Sequence, residues 1–353
     1  MLKNLMRALA LACCACTVHA ATPLKVGFLY VSPIGQAGWT YQHEQARQAM
    51  QRALGAQVQS RVVEAVPEGA DAERVMREMA ADGTTLIFAT SFGYLEPALR
   101  VAADFKDVKF EHAGGYKTAA NLNTYNARFY EGRWLAGWLA GKASQSGVAG
   151  YVAGFALPEV IQGINAFTLG MRAANPQATV HVAWLGTWFD PPREREAALA
   201  LIGGGADVLA NHSGSPAVPQ TAQERGVKVI GYQSDMSRFA PDAQLAAVTA
   251  DWSAYYTMVA KSVISGTWKP EPTWGGMKQG MVRLSAVHAT LPADVRRELA
   301  AREAALMAGE AGPFIGRLVD QEGRVRQERG ALGGEAIAQM DWFVQGVVGS
   351  LPK

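Results

Sequence analysis

Leu24-Lys25-Val26-Gly27-Phe28-Leu29-Tyr30-Val31 is a short apolar run that stops at the turn-rich Ser32-Pro33-Ile34-Gly35-Gln36-Ala37-Gly38. From Tyr41 to Leu54 apolar residues then return at every third or fourth position on an otherwise polar segment. A strand, a Gly-containing break and an amphipathic helix in that order are the repeating unit of a parallel sheet wrapped by helices. The unit recurs. Strands are expected at Lys25–Val31, Ser60–Val66, Thr84–Ser91, Lys109–Ala113 and Thr124–Ala127, separated by helices at Tyr41–Leu54, Ala70–Ala81 and Glu96–Phe105. The small, polar stretch from Gly141 to Gly147 reads as a linker. A second run follows it, with strands at Val148–Phe155, Thr179–Leu185, Asp207–His212, Lys228–Tyr232 and Leu245–Thr249 and helices at Pro158–Ala173, Arg193–Ile202 and Pro216–Arg225. The last hundred residues are less regular: helix at Tyr255–Ser265, strand at Val282–Ala286, helix at Asp294–Gly309 and an amphipathic stretch at Gly334–Val348. The fold class is therefore α/β, with two similar α/β halves in series.

The first twenty residues place Lys3 and Arg7 before the apolar run Ala8–Val18, and Val18-His19-Ala20 precedes Ala21 in the manner of a cleaved secretory signal. Residues 1–20 are expected to be removed and the mature protein to be soluble and periplasmic. Cys13, Cys14 and Cys16 match a lipoprotein signal poorly, so release is preferred to lipidation. They are the only cysteines, so after cleavage the chain has neither disulfide nor thiolate metal site. Of 33 basic residues, removal of Lys3 and Arg7 leaves 31 against 31 acidic ones, a balance that favours no nucleic acid or anionic membrane as partner.

Several catalytic patterns fail on their own terms. His43-Glu44 opens like a zinc protease helix, but Arg47 stands where the second histidine should be. Gly141-Lys142 has Ala136 and Ala143 where a phosphate loop needs glycine and a hydroxyl, so Gly137 and Gly141 are read as small residues for close helix packing. Gly203-Gly204-Gly205 ends a helix instead of opening one. There is no Gly-x-Ser-x-Gly elbow, and a triad from Ser213, His212 and Asp235 rests only on common residue types near strand ends. Neither a metal nor a cofactor is expected.

Ligands of open parallel sheets lie beyond the carboxyl ends of the strands. The loops there are aromatic: Trp39-Thr40-Tyr41, Ser91-Phe92, Phe155 and Trp188, with Asn211, Gln233 and Asp235 as polar neighbours. Rings stack on a flat heteroaromatic ligand while amides and carboxylates read its edge. Trp39, Thr40, Tyr41, Ser91, Phe92, Phe155, Trp188, Asn211, Gln233 and Asp235 are the candidate site. The competing readings are structural: Trp134 and Trp138 as fillers on one helix face, Asn211 as a loop-backbone partner, Asp235 as a cap.

Gly38-Trp39-Thr40-Tyr41-Gln42-His43, the segments 110–118, 125–133 and 158–167, Gly231-Tyr232-Gln233-Ser234-Asp235-Met236 and the segment 340–347 resemble, in order, the basic membrane protein (BMP) family. These are solute-binding proteins of ABC importers, and characterised members bind purine nucleosides or bases. The resemblance implies a type I periplasmic binding protein fold with a three-stranded hinge, lobe 1 being 24–143 with 250–280 and lobe 2 being 147–247 with 282–353. It also carries a stacking role to Trp39. Nucleoside binders of the family typically have an acidic residue at the position of Gln233 and a lysine near Trp252; both are missing here, which points to a free base such as adenine over a nucleoside. A monomer is expected, delivering a purine to a permease and ATPase encoded as separate chains. The alternatives are a ligand sensor of the same fold and an exported nucleoside hydrolase.

Overall fold

The computed structural model describes residues 22–352, so the expected signal peptide with its three cysteines lies outside the described residues. Strand β1 (Leu24–Leu29) leads to α1 (Trp39–Leu54), β2 (Val58–Val63), α2 (Ala70–Ala81), β3 (Leu86–Ala89), α3 (Leu95–Asp104), β4 (Lys109–Ala113) and β5 (Leu122–Ala127). Helix α4 (Phe129–Ala143) precedes β6 (Val148–Ala153), α5 (Pro158–Ala174), β7 (Thr179–Trp184), α6 (Pro191–Gly203), β8 (Val208–His212), α7 (Ala217–Arg225), β9 (Lys228–Gln233) and β10 (Gln244–Ala250). The rest holds α8 (Ser253–Ile264), β11 (Thr273–Gly275), β12 (Val282–Ser285) and α9 (Ala293–Ala308). The hairpin of β13 (Leu318–Val319) and β14 (Val325–Gln327), then α10 (Gly334–Ala338) and β15 (Val347–Val348), close the chain.

The first sheet has the order β11-β5-β4-β3-β1-β2, all parallel, and the second β12-β10-β9-β8-β6-β7-β15, parallel except for β12. Both reverse direction of growth beside their first strand, between β1 and β3 and between β6 and β8. Such reversals leave a crevice at the strand ends, where ligands of this architecture sit. The chain passes from one sheet's elements to the other's at Arg128, at Asp251–Trp252 and between β11 and β12. No helix among the described residues is long and apolar enough to cross a membrane.

Helix α4, which the expected boundary at residue 143 places in lobe 1, lies chiefly on α5, β10 and β12, with Tyr130 also edge-on to Trp274 of β11. The reason is local. A Cβ on Gly137 would run into the Phe167 carbonyl, one on Gly170 into the Trp134 carbonyl and one on Gly141 into that of Met171. Side-chain-free positions on both helices let the backbones touch, and α4 is buried around most of its circumference, including Trp134 and Trp138. In the amphipathic stretch Gly334–Val348 five residues, Gly334–Ala338, are helical. Side chains of α5 replace the helical bonds: Asn165 Nδ2 donates to the Trp342 carbonyl, its Oδ1 accepts from Val344 N, and Gln162 Nε2 donates to the Ile337 carbonyl. Backbone groups met in this way have no need of a regular helix.

Candidate functional site

A cavity of about 820 Å³ lies between the carboxyl ends of the two sheets. Trp39 enters it from the start of α1. Its indole Nε1 donates to the Thr90 carbonyl at 2.6 Å, and its ring makes edge contacts with His43, Phe129 and Trp252, so its orientation is fixed before any ligand arrives. Ser91 and Phe92 follow β3, Gly114, Gly115 and Tyr116 follow β4, and Asn126 ends β5. From the second sheet come Glu159 at the first turn of α5, Trp188 after β7, His212 and Ser213 at the end of β8, and Tyr232 and Gln233 at the end of β9.

The loops of the two sides touch. Gly38 has φ +92°, a conformation that favours glycine. A Cβ there would collide with the Gly214 carbonyl. Gly38 N donates to Ser234 Oγ at 2.8 Å, Gly214 N donates to the Trp188 carbonyl at 2.8 Å, and Arg238 donates to Gln36. Trp39 and Trp188, one from each sheet, therefore adjoin this backbone contact.

Of the ten sequence-derived candidates, Trp39, Ser91, Phe92, Trp188 and Gln233 line the cavity and Thr40, Tyr41, Phe155, Asn211 and Asp235 do not. Thr40 is buried with its hydroxyl 2.7 Å from that of Ser32, and Tyr41 sits half-buried one step further along α1. Phe155 stands edge-on behind Trp188, ring centroids 4.8 Å apart, as its support. Asn211 Nδ2 donates to the carbonyl and hydroxyl of Ser213, the loop role set against a ligand role above. Asp235 accepts from Ser237 N and Gln244 Nε2, which makes it a turn cap. The triad does not form either: Ser213 Oγ donates to Glu194 and the Asp235 carboxylate is engaged elsewhere.

Gln233 is unusual in two respects. Its φ is +64°, and of the three described non-glycine residues with positive φ it is the one on the cavity. Its side chain is buried, yet neither Oε1 nor Nε2 has a hydrogen-bond partner in the protein. A left-handed non-glycine residue and an unmet buried polar group each cost about 1–3 kcal/mol, and such features collect at binding sites. His212 Nδ1 is likewise buried and unpartnered, while its Nε2 lies 3.2 Å from the Tyr232 hydroxyl.

Beneath these residues lies Arg133 of α4, wholly buried. Its Nη2 donates to the Asn211 carbonyl at 2.6 Å and its guanidinium stacks 3.6 Å from the Tyr232 ring centroid. Burial, and next the Arg133 charge, hold His212 well below the ordinary histidine range, so it is neutral. Burial pushes the Glu159 carboxyl up to about 7, against the opposing pull of the Asn126 hydrogen bond and Arg133. Glu159, His212, Asn126 and Tyr232 were missed in the sequence. Asn126 lies next to last in β5 and Glu159 stands second in the helix after β6, so both follow the strand-end rule, but nothing else in the sequence singles them out.

A family model for PnrA-like ABC transporter substrate-binding proteins, Bmp, matches residues 24–307. The chain belongs to the Bmp family. It is 47% identical over 336 residues to a purine-binding protein of Brucella abortus, covering 95% of this chain and 96% of that one. It is 38% identical over 338 residues to a putative ABC transporter glucose-binding protein of Haloferax volcanii, covering 96% and 82%. An ABC transporter solute-binding protein from Conexibacter woesei superposes with TM-score 0.66 at 24% identity over 82% of this chain and 97% of its own. That likeness shows the fold: two α/β lobes of the type I periplasmic binding protein kind. As a Bmp-family protein the chain is an ABC substrate-binding protein, and the cavity is the place its fold provides for the solute.

Proposed function

We propose that this Bmp-family protein captures a purine ring in the cavity, with Trp39 and Trp188 as aromatic surfaces from opposite lobes and Gln233 reading the ring's edge. The observation that carries the reading is Gln233, which lines the cavity together with Trp39 and Trp188 and whose buried amide has both polar atoms unmet. An amide so placed matches the donor–acceptor pair that an adenine edge presents. The Brucella relative's name supports the same ligand class. Binding, not catalysis, is the role, with Ser213 and Asp235 committed to structural bonds.

The moving units are 24–127 with 253–275 and 129–250 with 282–352, turning at the three crossings. Closure brings the Gly38 and Gly214 loops together and shuts out water. The closed monomer, exported by its leader to the periplasm, hands its solute to a membrane permease driven by a separate ATPase.

A base of roughly ten heavy atoms, each given about the 30 Å³ of a water molecule, fills about 300 Å³. The 820 Å³ of the cavity is larger, which keeps a nucleoside as the second reading. Calorimetric titration with adenine, guanine, hypoxanthine, their nucleosides and glucose tests all of this. Binding of adenine with a rise in Tm is expected. Heat from glucose with none from any purine would overturn the reading in favour of the ligand named for the Haloferax relative.

A further inference from the structure

Glu159 stands second in α5, on the far side of the cavity from Trp39, and belongs to no part of the reading above. Its Oε2 accepts from Asn126 Nδ2 at 2.8 Å, a bond between the two lobes inside the cavity. Its Oε1 has no donor at hydrogen-bond distance. His212 Nε2 lies 3.6 Å from it, too far for a bond. One carboxylate oxygen is therefore anchored and the other faces the ligand space with acceptor capacity to spare.

We propose that Glu159 is a specificity-determining residue: its Oε1 accepts an N–H from the ligand, so a ring bearing an exocyclic amino group is chosen over one bearing a carbonyl there. The inference rests on the purine reading of the cavity. A carboxylate facing a carbonyl pairs two acceptors and leaves both desolvated and unmet, which is a repulsive element as well as a lost bond. An amide in its place turns over and presents a donor or an acceptor as required. The competing explanation is that Glu159 only balances the buried Arg133 charge; that role predicts an effect on stability and none on ligand choice.

The groups facing Glu159 are Asn126 from β5, His212 from β8, Tyr232 from β9, Tyr151 from β6 and Arg133 from α4. Among these Arg133 carries charge at neutral pH. With the free carboxyl at about 7, accepting an N–H favours the ionised form and releases a proton on binding. Affinity should then rise with pH up to about 7 and level off. A ligand that instead took a proton from the neutral acid would show the opposite slope.

The test is the ratio of dissociation constants for hypoxanthine and adenine in the parent protein and in Glu159→Gln, with the adenine titration repeated between about pH 5.5 and 8. The parent should favour adenine by at least about tenfold, the worth of a charge-assisted bond. Glu159→Gln should bring the ratio to within about threefold, by amide turnover, and flatten the pH profile. A ratio unchanged in Glu159→Gln, equal affinities in the parent, or an affinity that falls as pH rises would overturn the inference and leave purine binding intact. No purine binding at all would overturn both. A thermal melt of Glu159→Gln establishes that it is folded; should it fail, Asn126→Ala, which frees the same carboxylate from its anchor, should weaken the preference without abolishing binding.

Discussion

On the first lobe's side of the cavity several polar side chains are already spoken for: Trp39 Nε1 by the Thr90 carbonyl, Ser32 by Thr40, Ser91 by Glu68, Tyr125 by Tyr256. On the second lobe's side His212 Nδ1 and both amide atoms of Gln233 have no partner, and Glu159 uses one oxygen of two. Five strands of each sheet follow the same order, β5-β4-β3-β1-β2 and β10-β9-β8-β6-β7, so their topology does not account for the difference. It teaches a division of labour: one wall supplies a fixed aromatic surface, and the other carries unmet hydrogen-bonding capacity that a ligand edge would satisfy.

The largest expected effect comes from removing charge from the second wall. Because burial raises the Glu159 carboxyl from its ordinary 4.5 to about 7, the folded protein holds a proton there that the unfolded chain releases. Stability from the neutral acid is full below the unfolded value and is lost as pH rises through about 7. Glu159→Gln, which stays neutral, should match the parent near pH 5 and exceed it near pH 8, by on the order of 3 kcal/mol at most. Urea denaturation of the ligand-free proteins at the two pH values checks this; parallel pH profiles would show that the wall is not strained by its carboxylate.

Next in size is the platform itself. Trp39→Ala should weaken purine binding by roughly 30-fold, about 2 kcal/mol, with Trp39→Phe retaining most of the affinity. Calorimetry decides, and an unaffected Trp39→Ala would remove the first wall from the account.

The smallest effect sharpens the contrast most. Gln233→Leu should stabilise the ligand-free protein by about 1 kcal/mol, since two unmet polar atoms disappear, while costing about tenfold in affinity. Ser91→Ala should destabilise the ligand-free protein by about 1 kcal/mol, because it leaves Glu68 short of a donor. Opposite signs in thermal melts support two unlike walls; equal signs erase the distinction.

Periodicity made the α/β alternation legible from Leu24 to Thr249, because each strand is a short apolar run and most helices are one-sided. Helix α4 defeated the same logic at the lobe boundary. Its sequence looks like the end of the first half, whereas Gly137 and Gly141 meet Phe167 and Met171 of α5 and the helix lies against β10 and β12 of the second sheet. At the site, Trp39 and Trp188 were legible as bulky rings in glycine-containing loops. Asn211 and Asp235 looked equivalent to Gln233 on the page, since all three end strands. In the fold Ser237 and Gln244 occupy the Asp235 carboxylate and Ser213 occupies Asn211 Nδ2, with Asn211 Oδ1 left unmet, whereas neither amide atom of Gln233 has a partner; sequence order does not record that.

The glycine seam between α4 and α5 has a consequence for timing. Arg133 rides on one of those helices and Glu159 on the other, and with backbone against backbone neither helix can slide without a clash. The charged floor and the acidic reader are thus locked in register when the chain folds. An arriving solute finds them assembled, and the conformational entropy left to lose on capture is mainly that of the swinging lobes.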